Sequence, residues 1–178
     1  MGQILQSEFV WGVVLGVLLS VISSWASIQL QNREQIRRVR AFVADTVRNL
    51  RDYGRSLDEN RDRNGVIYND ILELIEAEIG VWGRNREHMI MIGDTTARNG
   101  VRDYLASAAK YCLETKSLLA SFTESMNQTR SAQTDALRHS WEADANSKLK
   151  AAQDRADRLI KHIAQGLPTP ASKYLKLS

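Results

Sequence analysis

The chain has 178 residues, of which 43% are hydrophobic and 25% are charged, a balance typical of one globular domain. Its formal net charge of +3 does not indicate nucleic-acid binding, because acidic residues are interleaved with the basic ones and aromatic and basic residues do not cluster. Both prolines lie beyond residue 167, so the strongest helix breaker is absent from the rest of the chain. The sequence therefore predicts an all-α protein.

The first 32 residues contain one ionisable side chain, that of Glu8. The apolar run at residues 9–30 carries no charge, and about 20 residues of α-helix match the roughly 30 Å hydrocarbon layer of a bilayer. We therefore predict a single transmembrane helix at 9–30, preceded by a short extracytoplasmic tail at 1–8. A cleaved secretory signal is a less favoured alternative, because no Lys or Arg precedes the run and the run is long.

Two features of the predicted span indicate contacts with lipid headgroups and with a second helix. Trp11 and Trp25 lie near its ends, where indole rings prefer the boundary between lipid headgroups and hydrocarbon. Small residues occupy every fourth position between them, at Gly12, Gly16, Ser20 and Ser24. Because Gly-x-x-x-Gly spacing lets two helices approach closely in lipid, this stripe predicts association with a second copy or with another membrane protein.

Basic residues follow the span at once, whereas none precede it. The juxtamembrane group consists of Arg33, Arg37, Arg38 and Arg40. Positively charged flanks remain in the cytoplasm and are attracted to anionic lipid headgroups. The predicted location is the inner cell membrane, with the N-terminus outside and the rest of the chain in the cytoplasm.

Hydrophobic periodicity divides the remaining chain into four helical segments, at 31–60, 65–92, 95–128 and 131–165. No turn signal separates the first segment from the span, so we expect one continuous helix there. The short connections predict a cytoplasmic antiparallel four-helix bundle, followed by a tail at 166–178. An intermolecular coiled coil built from the same helices is the alternative architecture.

Two glycines interrupt the second segment around a tryptophan, at Gly80, Trp82 and Gly83. A glycine inside a helix costs about 1 kcal/mol relative to alanine. The glycines either accommodate the indole within the fold or let another backbone approach. The second possibility makes these three residues a candidate docking face for a partner protein.

The sequence contains no recognisable catalytic constellation. It has no Glu-x-x-His pair for a di-metal site, no Cys-x-x-Cys, no glycine-rich phosphate loop and no Gly-x-Ser-x-Gly turn. The three histidines are dispersed, and Cys112 lies on an inner row of the third segment, where a thiol is structural. We therefore expect no enzymatic activity, no cofactor or metal and no small-molecule substrate.

The expected function is that of a noncatalytic scaffold or accessory subunit anchored in the membrane. Its span oligomerises or docks to another membrane protein, and its bundle is presented to protein partners. An oligomeric pore-forming or membrane-disrupting effector, with the bundle as sensor, is the alternative. The span carries no charged residue that could line an aqueous path, which disfavours that alternative.

Overall fold

The fold is built from helices. A computed structural model of the chain describes residues 2–60, 69–85, 87 and 90–175, and it describes residues 2–16 by their backbone alone. Over these ranges there are five helices and no strand, which confirms the all-helical prediction. The helices are α1 at Gly2–Glu59, α2 at Asn69–Arg84, α3 at Thr95–Ser131, α4 at Asp135–Gln165 and α5 at Thr169–Leu175.

The chain forms two compact units, Met1–Val39 and Arg40–Ser178. The smaller unit is the amino-terminal part of α1, and its described side chains, from Val17 onward, are almost all exposed. Within the part of the chain that the structure describes, no helix has both the length and the apolar character needed to cross a membrane. The span at 9–30 therefore stays a prediction, and the side chains of residues 9–16 lie outside the described ones.

The centre of the larger unit is an antiparallel pair of long helices, α3 and α4. Each begins at a capping side chain: Asp94 Oδ1 accepts from the Ala97 N–H at 2.6 Å, and Thr134 Oγ1 accepts from the Leu137 N–H at 3.4 Å. The cap at Thr134 places the start of α4 at Asp135 instead of the predicted residue 131. Small side chains are prominent among the buried ones of this pair and allow a close approach: Ala108, Cys112, Ala145, Ala152 and Ala156.

The second part of α1 and the helix α2 complete the bundle. A Cβ atom added to Gly54 would lie 3.1 Å from Cγ2 of Ile163, so α1 and α4 approach closely there. The ring centroids of Phe42 and Trp82 lie 4.9 Å apart and join α1 to α2. These contacts confirm the predicted helical bundle. The largest buried aliphatic side chains include Val43, Leu50, Leu57, Leu72, Ile75, Val101, Leu159 and Ile163.

Helix α2 is shorter than the segment predicted at 65–92. It ends at Arg84, and the Asn85 side chain then donates to the carbonyl of Val81 at 2.8 Å. An asparagine side chain that bonds the last turn competes with continuation of the helix, and the preceding glycines lower the helix propensity further. Part of the predicted segment, at 65–68 and at three positions after α2, lies outside the described residues.

The predicted tail at 166–178 contains a fifth helix instead. Ala171 and Leu175 lie four residues apart on one face of α5, and both are buried. Gly100 of α3 provides the space, since a Cβ atom there would lie 3.0 Å from Pro168 and 3.1 Å from Ala171. Burial of Ala171 and Leu175 stabilises this segment as a helix, although its sequence has only a few apolar residues at helical spacing.

Candidate functional site

The fold places the three predicted docking residues in different environments. Trp82 is only 5% exposed, and one part of its side chain lines a groove on the surface between α2 and α3. Gly83 also lines this groove, whereas Gly80 does not. Glycines three positions apart are neighbours on a helix surface, so Gly80 lies just beside the groove.

This depression, called here the α2–α3 groove, is long and mainly apolar. Its volume is about 490 Å³. Its lining on α3 extends from Arg98 to Ala109, which is about 17 Å at 1.5 Å per residue. Concave apolar surfaces of this length suit a helical segment of another protein. The apolar lining consists of Ile79, Trp82, Leu105, Ala106 and Ala109.

One end of the α2–α3 groove is basic. Arg98 donates from Nε and Nη2 to the carbonyl of Ile92, at 3.0 and 2.8 Å, which fixes the guanidinium at this end. Arg102 also lines the groove and pairs with the exposed Asp103 at 3.3 Å. Among the described residues that line the groove there is no acidic side chain. The groove therefore combines an apolar floor with a positively charged end.

The packing of the described chain does not require the two glycines of α2. A Cβ atom added to Gly80 or to Gly83 would meet no described atom within 4 Å. The interpretation that the glycines admit a neighbouring element of the same chain thus has no support in these contacts. Both interpretations of the glycines stay predictions.

The indole of Trp82 is held by packing. Its buried N–H has no hydrogen-bond partner among the described residues. A buried donor without a partner costs about 1 to 3 kcal/mol. The ring contact with Phe42 and the walls of the groove must offset this cost.

A polar cluster joins α3 and α4 far from the groove, and sequence analysis missed it. The Ser125 hydroxyl donates to Asp144 Oδ2 at 2.7 Å, while the Lys148 ammonium donates to Ser125 Oγ at 2.8 Å and pairs with Asp144 at 2.7 Å. The hydrogen bonds from Lys148 and then Ser125 hold the pKa of Asp144 below its ordinary value. The one signal in the sequence is the spacing of Asp144 and Lys148 by four residues.

This cluster resembles a nucleophile with its base, but its environment argues for a structural role. A serine nucleophile needs access to substrate and an unprotonated base. Ser125 is 1% exposed, and Lys148 is engaged by the Asp144 carboxylate. The cluster therefore stabilises the packing of α3 against α4.

The two described histidines, His139 and His162, lie in different environments. His162 stacks on Tyr104 with ring centroids 4.9 Å apart, and its Nε2 lies 2.9 Å from the Tyr104 carbonyl oxygen. His139 is on the surface, and His88 lies outside the described residues. Over the described ranges, no group of three or more His, Cys, Asp or Glu side chains is placed to hold a metal ion.

Cys112 is fully buried, and its thiol donates to the carbonyl of Leu72 at 3.2 Å. Burial, followed by the nearby charge of Glu76, raises the pKa of this thiol to about 11. Since the thiolate is the reactive form, the environment makes Cys112 chemically inert.

Three arginines border a second concave surface, of about 450 Å³, on α1: Arg48, Arg51 and Arg55. The first and third pair with Asp45 and Asp52, at 3.1 and 4.0 Å. Arg51 lies beside Gly166 at the carboxyl end of α4, where a cation interacts favourably with the exposed carbonyls and the helix dipole. Local structural contacts thus account for this basic surface.

The residues predicted to face the membrane are only partly described. Ser20, Ser24 and Trp25 are exposed. The structure does not describe the exposure of Trp11, Gly12 and Gly16. The first three juxtamembrane arginines, Arg33, Arg37 and Arg38, are exposed as well.

The fourth arginine of that group differs from the others. Arg40 is half-buried, and its guanidinium lies 5.8 Å from the ring centroid of Tyr174 in α5. This contact is a cation–π interaction. It gives Arg40 a role in packing that its place in a basic run did not indicate.

Comparison of the chain with protein-family models, curated protein sequences and solved structures finds no match.

Proposed function

We propose that the protein is a noncatalytic scaffold anchored in the inner cell membrane. The amino-terminal part of α1 acts as a transmembrane anchor and associates with a second copy or with another membrane protein. The larger unit lies in the cytoplasm and presents the α2–α3 groove to protein partners. Tethering raises the local concentration of those partners at the membrane.

The observation that carries the proposal is the exposure of large apolar side chains over much of the circumference of one helix. Successive residues are turned by about 100° along an α-helix, so these positions spread over an arc of about 220°, and the serines of the segment occupy the remaining face. An exposed apolar surface of this width needs an apolar environment. Lipid supplies one, and the uncharged sequence at 9–30 is long enough to use it. The side chains are 52–65% exposed, at Val17, Leu18, Leu19, Val21, Ile22, Trp25, Ile28 and Leu30.

The groove supports the scaffold part of the proposal. It offers an apolar surface for contact, and its described lining holds two arginines and an asparagine, with no histidine, cysteine or carboxylate among those residues. Such a lining can bind and orient a partner.

Alkaline carbonate extraction of membranes from cells that produce the full chain tests the anchor. The chain should remain in the membrane pellet. A variant with Leu18→Lys and Ile22→Lys should move to the supernatant, because each central lysine disfavours insertion by about 3 kcal/mol. Gln133→Lys, which adds a lysine at an exposed position of the α3–α4 connection, should remain in the pellet. Release of the unmodified chain by carbonate would contradict the proposal.

A protease assay tests the orientation. In sealed inverted vesicles of the inner membrane the larger unit faces outward, so added protease should digest it. In intact spheroplasts the same unit should be protected. The opposite pattern would place the larger unit on the outer side and contradict the proposed topology.

A further inference from the structure

We propose that the α2–α3 groove binds an amphipathic helix of a partner protein that carries an acidic side chain beside its apolar anchors. This inference rests on the proposed scaffold function and specifies the class of partner. It follows from the shape of the groove, from its charge and from Gly83 at its edge.

The shape of the groove fits a helix. Apolar anchors at positions i, i+3 or i+4, and i+7 of a helix span about 10 Å, which is within the length of about 17 Å between Arg98 and Ala109. Ala106 and Ala109 are small, so the wall formed by α3 leaves room for large side chains of the partner. Ile79 and Trp82 of α2 add apolar lining to the groove, although Trp82 is only 5% exposed.

The charge of the groove selects an acidic partner. Arg98 and Arg102 lie at the same end, and no acidic side chain lines the groove among the described residues. Arg102 uses Nε for Asp103, which lies outside the lining, and its Nη donors are left for a partner. The bonds from Arg98 to Ile92 use the Nε hydrogen and one Nη2 hydrogen, which leaves the Nη1 hydrogens and the second Nη2 hydrogen for a carboxylate. An arginine can hold a carboxylate by two parallel hydrogen bonds, so an Asp or Glu on the partner helix completes this end.

Gly83 allows a close approach of the partner backbone. It lines the groove, and a side chain there would project into space that no described atom occupies. The described residues leave this space open, although a residue with higher helix propensity would stabilise α2. The backbone of the docked helix packs against α2 in this open space.

Site-directed photocrosslinking in native membranes identifies the occupant. The probe is p-benzoylphenylalanine, placed at Ala106 in the full chain, and Ser117 on the exposed surface of α3 is the matched control position. Mass spectrometry of the crosslinked peptide should find a partner helix with apolar residues at three- and four-residue spacing and an adjacent Asp or Glu. A crosslink to a second copy, to lipid or to a basic segment would overturn the proposal. Equal yields at the two positions would also overturn it.

Charge reversal tests the role of the basic end. Arg102→Glu should lower the yield at Ala106 by about five- to tenfold, and a Glu→Arg change in the captured helix should restore it. Lys150→Glu changes the net charge equally on the exposed surface of α4 and should leave the yield unchanged. An unchanged yield with Arg102→Glu would contradict the charge argument.

Filling the groove tests the shape argument without loss of helix stability. Gly83→Met places a large side chain in the groove and should abolish the crosslink, whereas Gly80→Met beside the groove should retain it. Both variants increase helix propensity, so a loss confined to Gly83→Met cannot come from unfolding of α2. Equal crosslinking by both would overturn the proposal.

The docking and anchoring proposals can fail separately. Failure of the crosslink in a chain that carbonate does not extract would overturn the docking proposal alone. A specific crosslink in a chain that carbonate releases would overturn the anchor alone.

Discussion

The guanidinium of Arg51 occupies the space that a side chain at Gly166 would need. A Cβ atom added to Gly166 would lie 2.5 Å from Nη2 of Arg51. The backbone of Gly166, with φ of 67° and ψ of −162°, adopts a region that glycine alone readily enters. Side-chain crowding and backbone strain therefore both favour glycine where α4 ends.

Gly166→Ala should lower the free energy of unfolding by about 1 to 3 kcal/mol, because alanine is strained in this conformation. Urea unfolding of the full chain in mild detergent measures the change. Gly93→Ala is the control, since its Cβ would lie at an ordinary 3.6 Å from Tyr174 Oη. Adding Arg51→Ala should restore little stability, because a flexible guanidinium can move and the backbone strain remains. Full recovery would show that crowding dominates.

Gly80→Ala should stabilise the larger unit. The added methyl group meets no described atom within 4 Å, and alanine is favoured over glycine in a helix by about 1 kcal/mol. An increase of the midpoint in urea unfolding checks this expectation. A destabilised variant would mean that the space beside Gly80 is filled in the native protein.

Cys112 should not react with a thiol reagent in the folded chain. Raising the pKa from 9.0 to about 11 lowers the thiolate fraction near neutral pH about 100-fold, and burial blocks access further. The rate of modification by Ellman's reagent measures this, with Ser117→Cys in a Cys112→Ala background as the exposed control. Equal rates for the two thiols would contradict the structure, and Cys112 should react fully in denaturant.

Acid should remove the stabilisation that Asp144 provides. The folded-state pKa of Asp144 lies below its ordinary value of 3.8, because Lys148 and Ser125 donate hydrogen bonds to the carboxylate. This stabilisation is therefore fully present above the unfolded-state pKa and is lost as the pH falls through the folded-state pKa.

Urea unfolding of Asp144→Asn and of the unmodified chain, from about pH 6 down to about pH 2, measures the effect. The difference between the two should be largest at the upper end and should shrink in acid. Asp154→Asn, at an exposed position of α4, is the control. A difference in the free energy of unfolding that grew on acidification would contradict this structural role of Asp144.

Gly16→Ile should reduce the mass of the complex formed in mild detergent. A branched side chain on the small-residue stripe would hold two helices apart in lipid. Ala26→Ile introduces an equally large side chain on a different face of the helix and should preserve the mass. Mass measurement of both complexes tests the stripe, and an unchanged mass for Gly16→Ile would refute it.

The sequence was most informative where a periodic pattern extends over several turns. Val43, Leu50 and Leu57 recur every seven residues within the first predicted segment, and all three are buried in the larger unit. The pattern was weaker for α5, where only a few apolar residues at four-residue spacing indicate a short helix. The end of α2 depends on a side-chain bond from Asn85, which periodicity does not reveal.

The groove could be predicted only in part. Trp82 was identified as unusual, but the sequence could not show that Gly83 lines a groove while Gly80 does not. That distinction depends on how α2 is turned against α3. Arg98 and Arg102 belong to another helix, so their position at the same groove requires the tertiary fold.

One aromatic ring links the point where the chain enters the larger unit to the connection that precedes α3. Tyr174 contacts Arg40, the first residue of that unit, through its ring, and its hydroxyl faces Gly93 just before α3. A change in the position of α5 would therefore alter the surroundings of both Arg40 and the connection that precedes α3.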